Sequence, residues 1–291
     1  MGIVGFRGLI GGTGIQGGQL ALQWLGLGNE LAGAINHASL LVASPKDHVM
    51  IDVGPRYKET FQFLYIPIIV VRNIVITHMH WDHVGGLAEL ALYNKVAPKI
   101  LPREDAQYLG RDKRLTLIAP PDLTDLLSKH VESDGFIATA ADEDINFRTL
   151  FNTVPMEPVE GAPSVAYRCK TPDGLRLVFF KTKHLAVSYG VIINERVAYT
   201  SDTPYDPELI TAVVEGKFTE GNKPQLLYHD CATDGGQIPG HATFEQLKEL
   251  PVEIREKIVL THYGDNYAEL SAEVYEKKLF RGFASRNKEV C

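Results

Sequence analysis

An α/β layered fold is predicted for this 291-residue chain, and three observations predict it. In the first half, short β-branched runs alternate with stretches of helical period, as expected when strands and helices occupy separate layers. In the second half, four strand-like runs follow one another through turn residues, which reads as an antiparallel meander. One junction of strand and helix carries His78, His80, Asp82 and His83 within six positions, far denser than ten histidines spread over the chain would give. A hydrophobic share of 45% is ordinary for a protein with a sizeable core.

Residues 1–19 are apolar but broken repeatedly by glycine, with Arg7 the one charged side chain. That stretch lacks the unbroken apolar segment of a signal peptide or spanning helix and is read as a glycine-rich arm. Gly11-Gly12-Thr13-Gly14 is not followed by Gly-Lys-Ser/Thr, which argues against a phosphate loop. Residues 20–25 are a strand ended by the tight loop Gly26-Leu27-Gly28-Asn29. Two short strands follow, 37–44 and 48–53, joined at Pro45-Lys46-Asp47. Asp52, near the end of the second, either hydrogen-bonds the histidine-rich loop or caps a turn.

A helix over 58–64 precedes the largely apolar run 68–77, expected as the strand that feeds the histidine motif, and a helix over 84–96 leaves it. His78 and His80 are two apart, so extended backbone points them to one side. Asp82 and His83 lie beyond the turn and can face them from another direction, an arrangement able to hold two metal ions. After residue 99 the pattern loosens. A strand at 115–119 stops at Pro120-Pro121, and a helix over 123–131 carries His130, read as structural. The segment from about 100 to 160 is expected to be a cap-like insert that helps set substrate choice, with Arg111-Asp112-Lys113-Arg114 as a solvated turn.

Strands resume at 164–170, 175–181, 189–194 and 196–200. His184, Asp202 and His262 each stand just after an apolar run, so each is a potential ligand presented from a strand end. A final helix over 266–278 turns Tyr267, Leu270 and Val274 inward. The net charge of −7 argues against an extended electropositive surface for large nucleic acids, yet a small anion is allowed where metals supply local positive charge. Cys169, Cys231 and Cys291 are odd in number and distant, so neither a disulfide framework nor a cysteine zinc site is indicated. A reducing cytoplasm, away from any membrane, is the expectation.

The order His-x-His-x-Asp-His, then His184, then Asp202 after Tyr199-Thr200-Ser201, then His262 after Leu260-Thr261 resembles the metallo-β-lactamase superfamily across most of the chain. The resemblance implies a four-layer αββα sandwich in one domain, 1–291. It also implies a pair of metals, with His78, His80 and His184 on one, Asp82, His83 and His262 on the other, and Asp202 bridging. Imidazole and carboxylate donors without thiolate suit two Zn²⁺, with Mn²⁺ or Fe as alternatives. Such a pair activates water, so hydrolysis is expected, with Asp82 orienting the nucleophile while remaining a ligand.

The later segments Leu226-Leu227-Tyr228-His229-Asp230-Cys231, Gly240-His241-Ala242-Thr243 and Leu260-Thr261-His262-Tyr263 are similar to those of ribonuclease Z-like phosphodiesterases. By that similarity His241 is a proton donor to the leaving oxygen or a hydrogen-bond donor to the phosphoryl group; its plain alternative is to cap a helix starting near Ala242. His229 and Asp230 either orient His241 or a metal ligand, or are strand-end polarity. The chain departs from ribonuclease Z in having His229-Asp230-Cys231-Ala232-Thr233 and Tyr263-Gly264-Asp265-Asn266 where those enzymes often carry His-Glu-Ala-Thr and Ser-x-Arg. These departures and the acidic balance favour a small phosphodiester, first a 3′,5′-cyclic nucleotide, over transfer RNA 3′ processing. Lactone or thioester hydrolysis is the other alternative. Homodimers, common among related proteins, are also implied.

Overall fold

The computed structural model describes residues 20–43, 48–66, 68, 71–100, 114–133, 145–236, 239–286 and 289–290. The glycine-rich arm, the Pro45 turn, most of the Arg111–Arg114 cluster and Cys291 lie outside the described residues. The chain lays down β1 (Ala21–Gly26), β2 (Ser39–Ala43), β3 (His48–Ile51), β4 (Asn73–Val75), β5 (Leu115–Ile118) and β6 (Phe151–Thr153) as neighbours in one sheet. A second sheet follows: β7 (Glu157–Pro158), β8 (Ala166–Lys170), β9 (Arg176–Lys181), β10 (Tyr189–Ile193), β11 (Val197–Tyr199), β12 (Leu226–Asp230), β13 (Ile258–Thr261) and β14 (Gly282–Phe283). The last strand, β15 (Glu289–Val290), returns to the first sheet beside β1.

Helices fill the crossovers: α1 (Tyr57–Phe63), α2 (Trp81–Val84), α3 (Leu87–Ile100), α4 (Pro121–Val131), α5 (Phe147–Leu150), α6 (Pro207–Val214), α7 (Phe244–Lys248), α8 (Val252–Arg255) and α9 (Tyr267–Glu276). One apolar core joins the two sheets. At its centre Trp24 of β1 meets Tyr199 and Tyr228 of the opposite sheet edge-on, ring centroids 5.6 and 5.0 Å apart, the arrangement that aromatic quadrupoles favour. Among the described residues no helix is long and apolar enough to cross a membrane.

In each sheet the strands nearest the motif run parallel. β3 to β6 form one parallel set, and β11 to β14 form the other. Parallel strands joined by crossovers bring their carboxyl ends to one rim, where open α/β sheets place ligands. A hydrogen bond from the Tyr189 N–H to the Thr77 carbonyl, 3.0 Å, ties the second sheet to the first at that rim.

Two expectations need correction. Among the described residues of the run 68–77 the paired strand is Asn73–Val75, between β3 and β5, while Ile68 itself is 3₁₀ in conformation and residues 76–80 leave the sheet to form the motif loop. Parallel pairing ends where the neighbour ends, and β3 stops at Ile51 opposite Val75. The segment from about 100 to 160 is not all insert, because β5 and β6 are paired strands of the first sheet. His130, read as structural, is exposed on α4 and belongs to none of the converging His/Asp groups among the described residues.

Candidate metal centre

Three of the residues around the motif hold left-handed backbone without being glycine: Asp52 (φ 60°), Ser201 (φ 55°) and His262 (φ 56°). Each such residue costs on the order of 1–3 kcal/mol and persists only where surrounding structure enforces it. All three stand at the carboxyl ends of strands, where the chain turns sharply to aim a side chain into the space between the sheets. Gly54 permits the approach, since a Cβ there would lie 2.6 Å from the Asp82 carbonyl oxygen.

The side chains converge in two overlapping groups. His78, His80, His184 and Asp202 form one, and Asp82, His83, Asp202 and His262 the other, each with its donor atoms within 4.8 Å of one another. Asp202 is common to both. His80 Nδ1 is 3.1 Å from His184 Nε2; Asp202 Oδ2 is 3.5 Å from His78 Nε2 and 3.4 Å from His83 Nε2. His262 Nε2 is 3.4 Å from both Asp82 Oδ2 and Asp202 Oδ1. His78 Nε2, His83 Nε2 and Asp202 Oδ1 are buried and make no hydrogen bond among the described residues. Buried polar atoms of this kind are normally partnered, so orphaned nitrogens and oxygens aimed at common points fit a pair of cations bound by nitrogen and oxygen donors.

The tautomers follow from what lies behind each ring. The Asp52 carboxylate, fully buried, accepts from His83 Nδ1 at 2.8 Å and from the Thr77 N–H and hydroxyl at 2.9 and 2.8 Å. His83 therefore keeps its proton on Nδ1 and turns the Nε2 lone pair inward. Having donated to Asp52, the Thr77 hydroxyl accepts from Ser201 Oγ at 2.7 Å and faces His78 Nδ1 at 3.1 Å. Its remaining role there is to accept, which fixes His78 in the same tautomer. His184 Nδ1 donates to the Gly240 carbonyl at 3.1 Å, freeing Nε2. Gly240 has φ 98°, and a Cβ there would sit 3.2 Å from His184 Nδ1.

Asp230, at the end of β12, carries the third group. Its Oδ2 accepts from His241 Nδ1 at 2.7 Å and from the Thr203 N–H at 3.0 Å, and its Oδ1 is 3.3 Å from His262 Nδ1. His241 stacks on His262 at 5.1 Å, beside the two groups and with Nε2 unused by Asp230. The helix-cap alternative for His241 falls, because Thr243 caps α7. Asp52 and Asp230 thus both back histidines. His229 does not reach the cluster: strand alternation turns it to the other side of β12 from Asp230, and its Nδ1 faces the Asp230 carbonyl at 2.7 Å.

The electrostatics divide the residues. Burial lowers His80 below the ordinary imidazole value and His184 to about 4. In the metal-free protein burial also opposes a second proton on His83 and His262, but the carboxylates of Asp202, Asp82 and Asp52 around the first, and of Asp202, Asp230 and Asp82 around the second, outweigh it and hold both well above; a cation at Nε2 would take that proton's place. Asp82 and Asp202, despite burial, are held below the carboxylate range by His83 and His262. His241 is raised, since Asp230 outweighs its burial.

Thr77, Ser201 and Gly240 were not singled out from the sequence. A signal was present, because a hydroxyl residue immediately precedes three of the converging side chains, in Thr77-His78, Ser201-Asp202 and Thr261-His262.

A family model described as Anti-Pycsar protein Apyc1 matches residues 20–290. The chain is 27% identical over 238 residues to the Anti-Pycsar protein Apyc1 of Bacillus phage BSP38, covering 79% of this chain and 83% of that one. It is also 27% identical over 250 residues to the protein of that name from Paenibacillus sp. (strain J14), covering 85% and 90%. Among solved structures, the metallo-β-lactamase fold protein YhfI of Bacillus subtilis superposes with a TM-score of 0.67 at 16% identity, over 94% of this chain and all of the other. The short form of human tRNase Z superposes at 0.55 and 16%, over 85% and 94%. The two mixed sheets with their helices are accordingly the metallo-β-lactamase fold.

Proposed function

The chain belongs to the Anti-Pycsar protein Apyc1 family, and from that premise we propose that it is a dinuclear metal-dependent phosphodiesterase acting on a small phosphodiester, first a 3′,5′-cyclic nucleotide. His78, His80 and His184 would hold one ion, Asp82, His83 and His262 the other, and Asp202 both. Zn²⁺ is the first choice on donor chemistry. When bound, such a pair supplies an acidified water and positive charge for the phosphoryl oxygens.

The observation that carries the reading is Asp230–His241. An alkoxide leaves phosphorus poorly unless it is protonated as the bond breaks. His241 has its Nδ1 proton committed to Asp230 and is raised by that carboxylate, so it can deliver a proton from Nε2 to the leaving oxygen. Asp230, by touching both His241 and His262, aligns the proton donor with the ring beside it. Asp82 reaches His83 and His262 with a single oxygen, Oδ2, and Oδ1 is left to orient the attacking water.

The test sets cyclic nucleotides and bis-p-nitrophenyl phosphate against an acyl-homoserine lactone and S-lactoylglutathione, using metal-loaded protein. Phosphodiester cleavage is expected, and cleavage of the lactone or thioester alone overturns the reading. His241→Ala should lower turnover by about 10²–10⁴-fold with both ions still present by elemental analysis. Unchanged turnover would remove His241 from the reaction. The same reading places a homodimeric enzyme in the cytoplasm, and light scattering reports the assembly.

A further inference from the structure

The chain has two tryptophans, and they are used in opposite ways. Trp24 is completely buried between the sheets, whereas Trp81 is 55% exposed. A lone exposed apolar side chain needs no explanation by itself. Trp81, however, lies between His80 and Asp82, one residue from each half of the candidate metal centre, so its Cα is about 3.8 Å from each of theirs. It is the first residue of α2, and the motif turn therefore fixes its backbone.

The ring is fixed too. His37 meets it at 4.8 Å between centroids and 70° between planes. His37 is itself buried and wedged against Gly54, where a Cβ would lie 3.0 Å from His37 Cβ and 2.6 Å from the Asp82 carbonyl oxygen. An edge-to-face contact occupies at most one side of an indole. A ring held this way and more than half exposed presents an open π face at the rim. Leu185, next to His184, is 72% exposed and adds apolar surface on the His184 side.

We propose that Trp81 is the surface on which the substrate's nucleobase stacks, making it a specificity-determining residue that recognises a planar heterocycle attached to the scissile phosphodiester. The inference rests on the phosphodiesterase reading above. With the phosphate between the two halves of the centre, the base has to leave the site past its rim, and Trp81 is the aromatic face the motif itself places there. Stacking is tolerant of base identity, because every base has a π face. Trp81 thus selects for the presence of a base, and which base is preferred is left to polar contacts elsewhere.

Steady-state kinetics of metal-loaded wild type, Trp81→Phe and Trp81→Ala on cyclic nucleotides and on base-free ribose 3′,5′-cyclic phosphate test this. Trp81→Ala should raise KM for the nucleotides about ten- to a hundredfold with kcat little changed, Trp81→Phe should recover most of the loss, and the base-free compound should not distinguish the three. An equal loss on both substrates, or none on either, overturns the proposal. Because Trp24 is buried, tryptophan emission gives a second readout. A slowly cleaved cyclic nucleotide phosphorothioate should quench wild-type emission and leave Trp81→Phe unaffected. Absence of quenching overturns stacking whether or not nucleotides are cleaved. Quenching without any cleavage supports stacking and overturns the hydrolytic reading instead.

Discussion

The two halves of the candidate metal centre are built on different principles. In the half formed by His78, His80 and His184, two rings are only partly buried, and the groups behind the rings are neutral, the Thr77 hydroxyl and the Gly240 carbonyl. In the half formed by Asp82, His83 and His262, every side chain is buried, and the rings are backed by the Asp52 and Asp230 carboxylates. The first half is open to solvent and carries little charge of its own. The second is a sealed charge network. The difference teaches that the histidine-rich motif delivers side chains to both halves, but the acids at the ends of other strands decide how firmly each ring is held.

Removing the shared member should have the largest effect. Asp202→Ala takes a carboxylate from both halves, so both ions and all phosphodiester cleavage should be lost together by elemental analysis and assay. Retention of a full complement of two ions would break the description of Asp202 as common to both. Next, Asp52→Ala leaves every candidate ligand in place but removes the partner of His83 Nδ1. Such backing residues are worth roughly 10–100-fold in metal affinity. Competition with a chelator should show the ion on the His83 side weakened by that factor and the other, whose His78 meets Asp52 only through the Thr77 hydroxyl, weakened less. Equal weakening of both would erase the contrast between the halves.

The smallest effect is expected from pH in the metal-free protein, where the halves titrate in opposite senses. His184 is lowered from 6.5 to about 4, so the unfolded chain takes up a proton that the folded chain refuses. Its contribution to stability is present above pH 6.5 and is lost as pH falls toward about 4. His83 and His262 are held well above 6.5. Theirs is fully present below pH 6.5 and is lost as pH rises through the raised values. Imidazole resonances followed by NMR should place His184 near 4 with the other two still protonated at 6.5, and a His184 midpoint near 6.5 would remove the distinction.

Much of this centre was legible in the sequence because it is local. His78, His80, Asp82 and His83 share one turn, and His184, Asp202 and His262 each end an apolar run. The meander through β8, β9, β10 and β11 was legible for the same reason, since short turns link neighbours. Long-range pairing was not. Nothing near residues 68–72 reveals that β3 ends at Ile51 and so limits β4 to three residues. Nor does the segment before Ser164 reveal that β5 and β6 extend the first sheet. His229 and Asp230 looked equivalent until the pleat assigned them to opposite sides. The left-handed turns at Asp52, Ser201 and His262 occur at residues with no glycine to announce them.

The parallel run of β11, β12 and β13 has a consequence for how such a chain can change. Each delivers one acid or imidazole from its final residue or just beyond, Asp202, Asp230 and His262. Sliding any of them by one position would swap inward and outward side chains and pull one corner out of the cluster. Connections at the opposite, amino-terminal rim carry no such obligation. Lineages should therefore gain and lose residues freely at that far rim while the near rim keeps its lengths, and a tag or fused partner is best inserted there.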